Sequence, residues 1–263
     1  MLIDTHAHLY LEEFDPDRGD MIGRAIEAGV EAFYLPNIDS SSIDAMLTLE
    51  TDYPGRCFPM MGLHPCSVRE NYEEELQLVE QWLNRRPFPA IGEIGIDLYW
   101  DTSFFESQKK AFLRQVGWAK ELELPIIIHS RNSIDIIIEL LKKEKDERLL
   151  GIFHCFSGTE EQAHAIMELG FYMGIGGVLT FKKSGLDEAV KNIPLDWLVL
   201  ETDAPYLAPM PFRGKRNESA YIRLVAEKLA LVKNIDFEEV ASCTNWNAKK
   251  IFDKKPYSYT TLC

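Results

Sequence analysis

Residues able to hold an ion or move a proton recur at the ends of apolar runs in this sequence. The first run is Ile3-Asp4-Thr5-His6-Ala7-His8, with two imidazoles one residue apart. Side chains alternate across a strand, so His6 and His8 face one side and can grip a single cation. Four more runs end in the same kind of group. Pro89-Ala90-Ile91-Gly92-Glu93 ends in a carboxylate and continues as Ile94-Gly95-Ile96-Asp97. Leu124-Pro125-Ile126-Ile127-Ile128-His129 and Leu150-Gly151-Ile152-Phe153-His154 end in histidine. Leu198-Val199-Leu200-Glu201-Thr202-Asp203 closes the set before Ala204-Pro205 breaks the strand.

Four histidines and two carboxylates at five strand ends suit a divalent metal centre. His6, His8 and Asp203 would hold one ion, His129 and His154 a second, with Glu93 bridging them. Two ions about 3.5–4 Å apart can share a water, lower its pKa and brace the entering and leaving oxygens. Asp203 is also placed to accept the proton of the nucleophile, so Glu93 and Asp203 are the expected catalytic carboxylates. The sequence has no G-x-S-x-G elbow and no glycine-rich phosphate loop, which argues for hydrolysis without a covalent intermediate. So many imidazoles favour zinc, manganese or iron over magnesium.

Such ligands need a scaffold that aims several strand ends at one point. Apolar runs at about residues 2–8, 31–37, 58–64, 90–95, 125–129, 150–154, 171–176 and 197–202 alternate with segments of helical spacing. In the helix expected from Phe104 to Leu122, Phe105, Phe112, Val116 and Ala119 share a face. Gly29, Gly151 and Gly170 stand where helices should hand over to strands. Two more helical patterns follow Ser219, one ending near Lys233 and one starting at Phe237. This alternation predicts an α/β fold, a (β/α)8 TIM barrel with a dinuclear metal site at its C-terminal face. The 263 residues, 46% of them hydrophobic, suffice for one such domain spanning 1–263. His64 ends the third strand at the rim, where it would touch substrate. His164 falls on a helix and is expected to face solvent.

No run approaches the roughly 20 apolar residues of a membrane span, and no secretory pattern precedes the first strand. Cys57, Cys66, Cys155, Cys243 and Cys263 are odd in number and scattered, which suits reduced thiols in a cytoplasmic protein. Strand alternation turns Cys155 away from His154, into the core.

His6-Ala7-His8, Gly92-Glu93-Ile94-Gly95-Ile96-Asp97, Ile128-His129-Ser130-Arg131, His154-Cys155-Phe156-Ser157-Gly158 and Glu201-Thr202-Asp203-Ala204-Pro205-Tyr206-Leu207 together resemble the motif series of the TatD family of metal-dependent deoxyribonucleases, part of the amidohydrolase-like barrels. The likeness takes in Gly174-Ile175-Gly176-Gly177 and the loop Arg213-Gly214-Lys215-Arg216-Asn217-Glu218. It implies a dinuclear phosphodiesterase site with His6, His8, Glu93, His129, His154 and Asp203 as ligands. It also implies 3′-to-5′ exonuclease activity on DNA, assisted by magnesium or manganese rather than the zinc that the ligand types favour.

A formal charge of −14 opposes broad attraction to nucleic acid. Cations at the rim work the other way: Arg131, Lys182 and Lys183, and Arg213, Lys215 and Arg216 after the last strand. Arg131 and Arg213 are the expected phosphate clamps. Tyr99, Trp100, Tyr206 and Phe212 are placed to stack an unpaired base, so a single-stranded DNA end fits better than a long duplex. The same ions could serve a cyclic amide or an aminoacyl ester of tRNA, and a non-catalytic binding role is a third reading.

Overall fold

The computed structural model describes residues 1–144 and 146–253. In chain order it runs β1 (Leu2–Asp4), α1 (Arg18–Glu27), β2 (Val30–Pro36), α2 (Ile43–Asp52), β3 (Cys57–Met60), α3 (Tyr72–Arg85), β4 (Ile91–Asp97) and α4 (Phe105–Leu122). It continues as β5 (Ile126–Arg131), α5 (Ile134–Lys143), β6 (Gly151–Phe153), α6 (Glu160–Glu168), β7 (Tyr172–Ile175), α7 (Leu186–Lys191), β8 (Leu198–Leu200), α8 (Ile222–Lys233) and α9 (Phe237–Phe252). All paired strands are parallel, in a ladder of β1–β2–β3 and another from β4 to β8. Single bridges, Met61 to Ile91 and Ala7 to Ala204, join the two ladders at both seams. The ring so closed is the expected (β/α)8 barrel.

Strand alternation sorts the apolar residues into two layers. Leu2, Phe33, Ile128, Phe153 and Leu200 belong to the cluster that the helices cover. Ile3, Tyr34, Met60, Ile127, Ile152, Tyr172 and Val199 form a second cluster inside the ring. The end of α9 seals that inner cluster from below. Phe252 stacks on Tyr34 with centroids 3.7 Å apart, and Asn247 donates to the carbonyl of Leu198 at the start of β8. Inward positions farther along the same strands carry the polar groups: Ile127 is followed by His129, Ile152 by His154, and Val199 by Glu201. A dry floor thus leads directly to a polar mouth.

Several strands stop short of their expected limits. β1 ends at Asp4 because the backbone beyond it alternates partners. Thr5 donates to Leu200, Ala7 to Tyr34 and His8 to Ala204. Buried Asp4 holds that departure, accepting from the Thr202 amide (3.0 Å) and from the Thr202 and Ser219 hydroxyls (both 2.6 Å). β4 runs past its expected end to Asp97. Gly151 opens β6 rather than stopping a helix; a Cβ there would collide with the Ile126 carbonyl of β5. On α4, Phe112, Val116 and Ala119 are buried, whereas Phe105 in the first turn is only partly so.

Among the described residues no helix is long and apolar enough to cross a membrane. Cys57, Cys66, Cys155 and Cys243 are free thiols, and Cys263 lies outside the described residues.

Candidate active site

All six expected ligands meet at the C-terminal mouth of the barrel, around Glu93. This carboxylate is 1% exposed and divides its oxygens between two groups of imidazoles. Oε2 lies 3.1 Å from His6 Nε2 and 3.5 Å from His8 Nε2. Asp203 Oδ1 completes that group at 3.7 and 3.6 Å from the same two nitrogens. Oε1 lies 2.8 Å from His154 Nε2 and 2.9 Å from His129 Nδ1. One carboxylate oxygen is turned to His6 and His8 and the other to His129 and His154, while His6 also converges with Glu93 and His154.

The ring tautomers follow from the other nitrogens. Tyr10 gives its proton to the Pro36 carbonyl at 2.5 Å, so its oxygen accepts from His8 Nδ1 at 2.9 Å, and His8 keeps a lone pair on Nε2. Asp97 Oδ2 can only accept, so His129 Nε2, 2.8 Å away, carries a proton and Nδ1 faces the site. His64 is the opposite case. Its Nδ1 accepts from the Cys66 amide at 3.0 Å, which places the proton on Nε2, 3.3 Å from Glu93 Oε1. His64 lies close enough to count as a ligand by distance, but a protonated Nε2 has no lone pair to offer, so it is a donor.

Charge in the cluster is strongly redistributed. Burial pushes Glu93 up, yet the imidazoles around it, His154 foremost, hold it well below the usual carboxylate range. Burial likewise opposes the charge on His154, but Glu93 and Glu201 hold it well above the ordinary imidazole range. His6 goes the other way, lowered by burial and by His154, whose ring stacks on it at 3.8 Å between centroids. Burial pushes Asp203 up to about 6. Positive charge is therefore drawn in beside Glu93, which is the role a cation would fill.

The residues fit a metal by two observations. Glu93 Oε2 is buried with no hydrogen-bond partner, though two imidazole nitrogens point at it. Two donor sets free of the objection to His64, His6–His8–Asp203 and His6–Glu93–His154, each converge within 4.8 Å. The imidazole–carboxylate mixture suits a borderline divalent ion.

Three supporting residues escaped the reading of the sequence, although strand parity contains the signal for them. Asp97 follows Glu93 by four residues on one strand, Tyr10 follows His8 by two, and Glu201 shares the inward register with Asp203. Glu201 is fully buried, accepts from the Cys155 amide at 2.5 Å and lies 3.5 Å from His154 Nδ1. A Cβ on Gly174 would collide with this carboxylate, which explains a glycine in β7.

Other expectations need correcting. Cys155 does not face the core: β6 ends at Phe153, Cys155 takes a left-handed φ of 47°, and it lines the cavity over the candidate ligands. Arg131 lines that cavity of about 520 Å³, together with His64, Tyr99, Trp100 and Tyr206. Arg213 does not; its guanidinium lies over the Phe181 ring, 4.5 Å from the centroid. Arg216 is no free rim cation either, since it pairs with Asp17 at 2.7 and 2.8 Å. Phe212 stacks on Tyr221 at 4.2 Å. The loop they share serves to clasp the turn carrying Asp203, through Asn217 Nδ2 bonds to the Thr202 and Tyr206 carbonyls at 2.8 and 2.7 Å. His164 is exposed on α6, as expected.

Known proteins resemble this one over its whole length. The family of TatD related DNases matches residues 3–253. An uncharacterized metal-dependent hydrolase of Bacillus subtilis, YabD, is 42% identical over 96% of this chain and 99% of its own length. The 3′-5′ ssDNA/RNA exonuclease TatD of Salmonella typhimurium is 32% identical over 96% of this chain and 99% of its own. The crystal structure of YjjV, a TatD homolog from Escherichia coli, superimposes with a TM-score of 0.91 at 32% identity, covering 97% of this chain and 98% of that one. The chain belongs to the TatD-related DNase family and is a metal-dependent hydrolase.

Proposed function

We propose that this protein is a dinuclear phosphodiesterase that removes nucleotides from the 3′ end of single-stranded DNA, acting as one domain over residues 1–263. The observation that carries the reading is Glu93, with one oxygen turned to His6 and His8 and the other to His129 and His154. His6, His8 and Asp203 are assigned to one ion, His129 and His154 to the other, with Glu93 shared. Manganese or zinc suits this donor set best, and magnesium less. Bound ions supply Lewis acidity and lower the pKa of water at the site.

The protein's own groups supply the rest. Asp203, raised by burial to about 6, accepts the proton of the attacking water. His64, held with its proton on Nε2, donates a hydrogen bond to a phosphoryl oxygen. Arg131 offers a paired contact to the same phosphate. Arg213 is assigned to the strand beyond the cavity, since it stands outside the lining. A cavity of about 520 Å³ falls in the usual range of about 300–1,000 Å³ for small-ligand sites. That size favours one terminal nucleotide over a duplex, and the net charge of −14 disfavours a long footprint. The name of the Salmonella relative, an exonuclease on single-stranded DNA and RNA, supports the same class of substrate.

The test is hydrolysis by ion-stripped protein resupplied with manganese, zinc or magnesium singly. The substrates are a 5′-labelled single-stranded oligonucleotide and a panel of cyclic amides and esters. A ladder shortening stepwise from the 3′ end supports the proposal. Turnover of an amide or ester with no cut DNA would replace the substrate and keep the site. Full ion occupancy with no hydrolysis of any substrate would point to a binding protein.

A further inference from the structure

Asp97 ends β4 with its two oxygens committed to different structures. Oδ2 takes the proton of His129 Nε2 at 2.8 Å. Oδ1 accepts the amides of Tyr99 and Trp100 at 2.9 and 3.0 Å. The carboxylate is only 1% exposed, and its own amide is held by buried Gln108 at 2.8 Å. The turn it caps carries two rings out of the protein: Tyr99 is 55% exposed and Trp100 76%, edge to face at 5.0 Å. Arg131 lies over the Tyr99 ring at 5.0 Å, and its carbonyl accepts the Leu98 amide at 2.9 Å. Large apolar rings exposed at a cavity rim, backed by a cation and pinned by main-chain bonds, make a rigid stacking surface.

We propose that Asp97 is a positioning residue with two tasks. One oxygen fixes the His129 tautomer so that Nδ1 faces the ion, and the other holds Tyr99–Trp100 as a platform on which the terminal base stacks. The platform's ligand rests on the single-strand reading above; the task toward His129 does not.

The two tasks separate by substitution. In Asp97→Asn the side-chain oxygen still accepts both amides, but the new NH2 meets the His129 N–H with no acceptor. His129 must then move its proton to Nδ1, where a ligand's lone pair belongs. In Asp97→Ala both tasks are lost. Two measurements on ion-stripped protein read them out: Mn²⁺ titration by calorimetry, and anisotropy of a labelled oligothymidylate in chelator. Asp97→Asn should bind Mn²⁺ about 10–100-fold more weakly and the oligonucleotide within twofold of wild type. Asp97→Ala should lose both, and Trp100→Ala should bind the oligonucleotide about tenfold more weakly with Mn²⁺ affinity unchanged.

Wild-type Mn²⁺ affinity in Asp97→Asn would overturn the first task. Wild-type oligonucleotide affinity in Asp97→Ala would overturn the second. If Asp97→Ala does not fold by circular dichroism, Asp97→Ser, too short to reach both sets of partners, takes its place. Failure of the wild-type protein to bind the oligonucleotide at all would instead reject the single-strand reading and the platform together, and the Mn²⁺ titration would still decide the task toward His129.

Discussion

Replacing Glu93 by glutamine tests the whole site with almost no change in shape. The carboxylate touches five imidazole nitrogens, three within 3.3 Å of Oε1 and two within 3.5 Å of Oε2. An amide nitrogen is a donor without a lone pair, so either orientation of the new side chain deprives one group of imidazoles of its acceptor. The negative charge is lost for both groups at once. Removing one partner from a buried set of charges costs about 3–5 kcal/mol, equivalent to a fall of roughly 10²–10⁴-fold in ion affinity. The fold should survive, since Glu93 sits in the polar mouth above the apolar floor. Calorimetric titration with manganese, circular dichroism melts and single-turnover cleavage would be read on one preparation. A Glu93→Gln protein with affinity and turnover within threefold of wild type would refute the shared-carboxylate reasoning.

Three further outcomes are expected. Tyr10→Phe leaves His8 Nδ1 and the Pro36 carbonyl unpaired in a buried site, so ion affinity should fall about tenfold and stability by about 1–3 kcal/mol in a thermal melt; an unchanged titration would reject the role given to Tyr10. Ion affinity should fall as pH falls, steepening below about 6, because Asp203 is protonated there and must lose that proton to act as a ligand, while His154 competes already near neutrality. A chelator-competition series from about pH 7.5 to about pH 5 checks this, and a flat profile would count against it. Phe252→Ala removes the ring stacked on Tyr34 and should cost about 3–5 kcal/mol in denaturant unfolding without moving the ligands; a loss below about 1 kcal/mol would show that α9 does not seal the floor.

Most of the residues that converge at the mouth were legible in the sequence because a strand's inward face is set by parity, and an apolar inward residue two places before a histidine marks where the floor gives way to the mouth. Ile127 with His129 and Ile152 with His154 follow this rule. Parity failed where strands ended early. Cys155 lies beyond the last paired residue of β6, and a left-handed backbone turned it into the cavity. Tyr10 was hidden for a related reason, since it lies beyond the end of β1 and its partner is a carbonyl of the neighbouring strand β2. The cations after β8 misled because charge type shows nothing about pairing. Arg216 is neutralised by Asp17 from the turn before α1, a contact between residues 199 positions apart. Asp97 and Glu201 share the inward register, yet parity alone does not tell an acid that holds a ligand in place from one that binds the ion.

The two seams of the barrel bear on how the molecule becomes active. His6 and His8 belong to the three-stranded arc, whereas Glu93, His129, His154 and Asp203 belong to the five-stranded arc. Each arc alone carries only part of the candidate donor set, and the seams are closed by the two bridges together with main-chain bonds such as Thr5 to Leu200, His8 to Ala204 and Gly92 to Met61. An ion held by His6, His8, Asp203 and Glu93 would tie the two arcs together across the seam between β8 and β1. Loading the site would therefore also stabilise the closed ring, and the seam amides of His8, Met61 and Asp203 should slow their exchange with solvent most when the ion arrives.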